Sequence, residues 1–299
     1  MRTPAAIDSK GLDLGTVFAD LSELTKPRIT LMVVLTAGIG LLLASGGDVS
    51  FSLVVHTLLG TGLLAGGSSA LNQVLERDLD ALMQRTAQRP LPAGRMHPDV
   101  ALLFGVTIAI VGLLELTLFV NLLTALLGTL ALASYVFLYT PLKRVSSLAT
   151  VIGAIPGAIP PLMGWTAVTN ELAVGAWVLF GILFLWQLPH FLAIAWMCRE
   201  DYARAGLPML PVVEPDGRST ARQMVLWGAA LLPVSLLPTV LGLTGITYFL
   251  GTLTLGCFFL AVCVAFSLSF STQAARRVLL VSVLYLPAVL AVMVLDRVV

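Results

Sequence analysis

Three polar residues, Asn72, Glu76 and Asp80, recur every four positions in Asn72-Gln73-Val74-Leu75-Glu76-Arg77-Asp78-Leu79-Asp80. In a helix this spacing stacks all three on one face, one turn above the next. Like charges so placed repel, so a cationic partner is expected. Oxygen groups of this kind suit Mg²⁺, which binds through a few carboxylates completed by substrate phosphates. A basic, turn-rich stretch follows directly, from Arg85 through Arg89 and Pro90 to Arg95. Carboxylates for a metal beside arginines for oxyanions are what a diphosphate requires. The plain alternative is a solvated helix end. Against it stands Asn72, which falls within an apolar run, where a polar group is costly and tends to serve function.

Other residues could join this chemistry. Arg199-Glu200-Asp201-Tyr202-Ala203-Arg204 is a second mixed cluster. Its acids either hold a second metal or pair with Arg199 and Arg204. Tyr139 lies four residues before Lys143, followed by Arg144, and could reach the same pocket or merely anchor an interface. Lys26-Pro27-Arg28 carries the same ambiguity. His190, just after Pro189 in an apolar run, is either a ligand or a hydrogen-bonded core residue. His56 reads as structural, and Glu115 as a side chain that snorkels to the surface. Cys198, Cys257 and Cys263 show no metal-ligand spacing and no disulfide pattern.

The elements that must carry these residues are membrane helices. Of 299 residues, 58% are hydrophobic and 11% charged, far fewer charges than the roughly 25% of soluble domains. Runs long enough to span a bilayer occur near 29–47, 51–75, 100–118, 120–140, 147–168, 172–197, 223–242, 245–270 and 278–295. Two of the divisions, near Asn121 and at Gly242-Leu243-Thr244-Gly245, split longer apolar stretches. With nine spans, every Lys and Arg except Arg297 falls on the N-terminal side, which the positive-inside rule makes cytoplasmic. The C-terminus then lies on the outer side. Residues 1–24 read as a cytoplasmic tail without the apolar core of a signal peptide. Residues 25–299 read as one all-α, polytopic membrane domain. Charged loops at 76–98 and 199–221 put the chemistry on one face. A secondary transporter is a rival reading, but its ionisable groups belong near the midplane. A non-catalytic assembly factor leaves the stacked face unexplained.

Together these features resemble the UbiA superfamily of intramembrane prenyltransferases. The likeness rests on Asn72-x-x-x-Glu76-x-x-x-Asp80, on Arg85 and Arg89, on Tyr139-x-x-x-Lys143, and on the acidic cluster after the sixth span. It implies nine helices with a cytoplasmic active site. Within the superfamily the chain is most similar to the branch that farnesylates haem. That is carried by Thr25-Lys26-Pro27-Arg28, Pro189-His190-Phe191 and the run from Arg199 to Pro211. Relatives acting on quinone precursors or chlorophyllide usually have Asp-x-x-x-Asp in the second cluster, where this chain has Arg199-Glu200-Asp201-Tyr202.

The resemblance implies transfer of farnesyl from farnesyl diphosphate to a vinyl group of haem b, with water addition, giving haem O. It implies Mg²⁺ on Asn72, Glu76, Asp80 and Asp201. It gives Arg28, Arg85, Arg89, Lys143 and Arg144 the diphosphate, makes Tyr139 and Arg199 further catalytic residues, and has His190 contact haem. The setting is the cell inner membrane. Haem A synthase or oxidase assembly proteins are the implied protein partners, and no nucleic acid is expected.

Overall fold

The computed structural model describes residues 14–298. The first part of the tail, with Arg2, Asp8, Lys10 and Asp13, lies outside the described residues, as does Val299. Among the described residues, nine helices are long and apolar enough to cross a membrane. A short helix α1 (Leu14–Thr25) precedes them. The spans are α2 (Pro27–Ala44), α3 (Phe51–Asp80), α4 (Pro98–Phe119), α5 (Leu122–Leu142), α6 (Ala149–Thr169), α7 (Val174–Met197), α10 (Arg218–Val240), α11 (Ile246–Ser269) and α12 (Thr272–Leu295). Short helices α8 (Arg199–Arg204) and α9 (Leu210–Val213) lie between α7 and α10.

The breaks expected near Asn121 and at Gly242–Gly245 are present. Asn121 caps α5 by accepting from the Thr124 backbone N–H. Gly242 adopts φ +74°, a conformation that glycine takes without steric cost. Two later spans start earlier than the apolar runs imply, α10 at Arg218 and α12 at Thr272. Apolar content marks only what lies in lipid, whereas backbone hydrogen bonds carry a helix on past the bilayer.

Helices α3 and α4 pack closely through small residues. A Cβ on Gly67 would lie 2.9 Å from the Gly105 carbonyl oxygen, and one on Gly112 would lie 2.9 Å from that of Gly60. Gly40 on α2 and Gly164 on α6 likewise abut backbone, of Pro161 and Ala37. Lipid drives helices together weakly, so close van der Waals approach of this kind carries much of their association.

At the end of the bundle away from the ladder, Glu115 does not snorkel. Its Oε1 lies 2.6 Å from Nδ1 of His56, joining α4 to α3, and the His56 ring stacks on Phe119 at 4.6 Å. A carboxylate in an apolar layer gains more from a partner within reach on the next helix than from stretching towards water.

Candidate active site

Helix α3 runs unbroken for 30 residues, past the apolar stretch to Asp80. Asn72, Glu76 and Asp80 therefore remain on one face, and all three are buried, with Asp80 wholly inaccessible. Each is met by a side chain from another segment. Lys26 Nζ donates to Asn72 Oδ1 at 3.3 Å. Asn72 Nδ2 donates to Thr140 Oγ1 at 3.1 Å. Lys143 Nζ donates to both oxygens of Glu76, at 3.1 and 3.2 Å. Arg89 Nη1 donates to Asp80 Oδ2 at 2.7 Å. The cations required by the stacked acids thus come from the α1–α2 junction, from α5 and from the 81–97 loop.

Local structure explains how they arrive. The last part of α5 contains a π-helical segment, Ser134–Tyr139. Such segments are rare and often mark functional positions. The widened turn lets Thr140 Oγ1 donate to the carbonyl of Tyr135, five residues back, at 2.8 Å. It also shifts the register so that Thr140 and Lys143 both meet α3. Pro90 and Pro92 hold the 81–97 segment in turns. Lys26 adopts left-handed backbone, φ 49° and ψ 65°, between α1 and α2. That conformation costs a non-glycine residue about 1 kcal/mol. Burial, then the Arg89 charge, lower the Lys26 ammonium to about 8.

One polar atom in the ladder has no partner. Asp80 Oδ1 is buried without a hydrogen bond among the described residues. A buried carboxylate oxygen left unpaired is costly, and it is the kind of atom that a bound cation satisfies. Among the described residues no three His, Cys, Asp or Glu side chains gather as a metal cluster. The ladder offers two carboxylates and an amide, a set that fits Mg²⁺ completed by phosphate oxygens and water.

The remaining candidates are placed as follows. Arg85 and Asp201 meet in a second cluster, where the 81–97 loop abuts α8. The Arg85 guanidinium sits 5.5 Å from the Tyr202 ring centre. Asp201 accepts from the Gln84 backbone N–H at 3.1 Å and from Arg204. Burial pushes the Asp201 carboxyl up, but these bonds more than offset it and hold it below the usual range. Of the two roles weighed for the second acidic cluster, pairing with Arg204 is observed. The orienting partner of Arg199 is instead Trp196, whose carbonyl it bonds at 2.9 Å and whose ring it covers at 5.0 Å.

Arg28 is exposed and lines a cleft of about 490 Å³ with Lys26, Gln73 and Arg89. Arg144 is exposed and donates to the Leu75 carbonyl at 2.6 Å, beside the ladder rather than within it. Tyr139 stacks on Tyr135 at 5.5 Å and fits against Gly153. His190 sits mid-span on α7, its Nδ1 2.8 Å from Ser282 Oγ on α12 and its ring 5.1 Å from Trp186. The Ser282 hydroxyl donates to the Leu279 carbonyl at 2.6 Å. Its oxygen is then left to accept from His190 Nδ1–H, so Nε2 keeps its lone pair.

Sequence reasoning left Lys26 undecided and passed over Thr140. Both stand directly before prolines, which draw attention as punctuation and not as ligands.

The fold and this cluster define a polytopic all-α membrane protein with a charged, anion-ready site buried at one end of the bundle. The UbiA prenyltransferase family matches residues 33–291, and the chain belongs to that family. A protoheme IX farnesyltransferase of Solibacter usitatus is 52% identical over 287 residues, covering 93% of this chain and 98% of the relative. One from Koribacter versatilis is 45% identical over 305 residues, covering 98% and 97%. Among solved structures, a digeranylgeranylglyceryl phosphate synthase superposes with a TM-score of 0.79 at 16% identity, covering 93% of this chain and 98% of that one. A UbiA homolog from Archaeoglobus fulgidus bound to GPP and Mg²⁺ gives 0.63 at 15% identity, covering 92% and 99%. At these identities the structural likeness speaks for the fold.

Proposed function

We infer that the chain transfers the farnesyl group of farnesyl diphosphate to a vinyl group of protohaem IX, giving haem O. Its similarity to protoheme IX farnesyltransferases over nearly its whole length supports this reading. The observation that carries it in the structure is the buried ladder of Asn72, Glu76 and Asp80, faced by Lys26, Lys143 and Arg89.

The reaction breaks the C–O bond between farnesyl C1 and diphosphate. A C–C bond forms from C1 to the terminal vinyl carbon. Hydroxide from water adds to the inner vinyl carbon, and the water's remaining proton is released. Mg²⁺, held by Asn72, Glu76 and Asp80 when bound, supplies Lewis-acid stabilisation of charge growing on the leaving oxygens. Lys143, Arg89 and Lys26 stand at the same face to neutralise the rest, and Arg85, Arg28 and Arg144 hold the outer phosphate oxygens. Tyr139 and Tyr135 stack beside this face and keep water from the allylic carbon. The apolar bundle walls the isoprenoid, so the cation left by ionisation meets the vinyl carbon before it meets water. His190, its tautomer fixed by Ser282 through Nδ1, would contact bound haem b through Nε2.

The site faces the cytoplasm in the inner membrane, since the basic residues concentrate on that side. Haem O passes from there to haem A synthase or oxidase assembly.

Purified protein should be incubated with haem b, farnesyl diphosphate and Mg²⁺, and the product mass read. The wild-type chain is expected to give haem O, and the Glu76→Ala/Asp80→Ala double variant none. Prenylation of 4-hydroxybenzoate instead of haem b would overturn the assignment of acceptor. Near wild-type turnover in a correctly inserted double variant would overturn the ladder.

A further inference from the structure

The acid after the sixth span has a second use that the ladder does not need. Asp201 Oδ1 accepts the backbone N–H of Gln84 at 3.1 Å, so a side chain of α8 fastens the backbone of the 81–97 loop. The next residue on each side repeats the contact. Arg85 lies over the Tyr202 ring and donates to its hydroxyl at 3.4 Å. Beneath them Met83 packs with Tyr202, Leu207 and Met209 in an apolar core separate from the main one. Arg204 donates to the same Asp201 oxygen, Oδ1. Burial pushes the Tyr202 phenol up, against the pull of the Arg85 and Lys143 charges. Lys143 is the cation bound to Glu76, so the joint adjoins the ladder.

We propose that Asp201 is a positioning residue: it ties the 81–97 loop to α8, fixes Arg85 above the diphosphate, and leaves the metal to Asn72, Glu76 and Asp80 alone. The geometry favours this over a second metal site. Asp201 Oδ1 is taken by two donors, whereas Asp80 Oδ1 is the buried carboxylate oxygen left without a hydrogen bond among the described residues. The kinetic half of the inference rests on the proposed reaction; the structural half does not.

Two measurements on the purified full chain test it. Amide exchange at Gln84, read without substrate, is expected to speed up in Asp201→Ala and to return to the wild-type rate in Asp201→Asn, whose side-chain oxygen can still accept. In turnover, Asp201→Ala is expected to raise KM for farnesyl diphosphate about tenfold, the usual worth of a hydrogen bond to a charged group, at an unchanged Mg²⁺ midpoint. Asp201→Asn is expected to restore most of it. The opposite pattern overturns the proposal: Gln84 exchange indifferent to both variants, or a raised Mg²⁺ midpoint in Asp201→Asn. Absence of haem O from the wild-type chain counts against the proposed reaction only, because the exchange result stands apart from it.

Discussion

Lys143, which caps the C-terminal end of α5, reaches across to α3 and places its ammonium 3.1 and 3.2 Å from the two oxygens of Glu76. Both side chains are nearly inaccessible, at 8% and 5%. Removing one partner strands the other charge in a low-dielectric interior, which costs about 3–5 kcal/mol. Lys143→Met and Glu76→Gln should each lower stability by about that much in detergent unfolding. The double variant, with no stranded charge, should recover most of it while forming no haem O. If the double variant turned over normally, the pair would be only a structural tie.

Lys26 combines a strained backbone with a functional amine. Lys26→Gly relieves the left-handed conformation, so the variant should be at least as stable as wild type. It should nevertheless bind farnesyl diphosphate more weakly. Lys26→Ala keeps the strain and loses the amine, so it should be less stable than Lys26→Gly and bind farnesyl diphosphate as weakly. Equal diphosphate affinity in all three proteins would rule out a binding role for this residue.

The same amine sets a pH dependence. Its folded value of about 8 lies below the ordinary 10.5, so the unfolded chain keeps the proton to higher pH. Between those values the contribution of Lys26 to stability rises with pH. Its capacity to hold an anion moves the other way, because the charged fraction falls about tenfold per pH unit above 8. KM for farnesyl diphosphate should therefore climb from pH 7.5 to 9.5 in the wild-type chain. Lys26→Arg should flatten that climb, since guanidinium stays charged.

His190 is oriented by Ser282. His190→Ala should shift the Soret band of bound haem b and weaken its binding. Ser282→Ala should give a smaller change of the same kind, by releasing the tautomer. Haem spectra and affinity unchanged in His190→Ala would remove the residue from the haem site.

The pair His56–Glu115 lies far from the ladder, near the other end of α3. Glu115→Gln should cost ~1 kcal/mol of stability, within the range for interhelical bonds in membranes. Turnover per folded molecule should not change. A loss of turnover without a loss of stability would bring this end of the bundle into the chemistry.

Much of this architecture was readable before folding was considered. Lipid demands about 20 apolar residues per span, so nine apolar runs became nine membrane-spanning helices among the described residues. Period four put Asn72, Glu76 and Asp80 on one face, because a helix repeats every 3.6 residues. What one-dimensional order could not carry was the pairing between distant segments. Lys143 meets Glu76 across 67 residues, and it does so because a π-helical segment shifts the end of α5, a backbone feature without an apolar signature. Asp201 meets the Gln84 amide across 117 residues, and a backbone donor leaves no trace in residue identity. Glu115 found His56 only once α3 and α4 closed on their glycines. Local hydrogen bonding and the bilayer decide where helices run. Close packing between them decides which charges share a site.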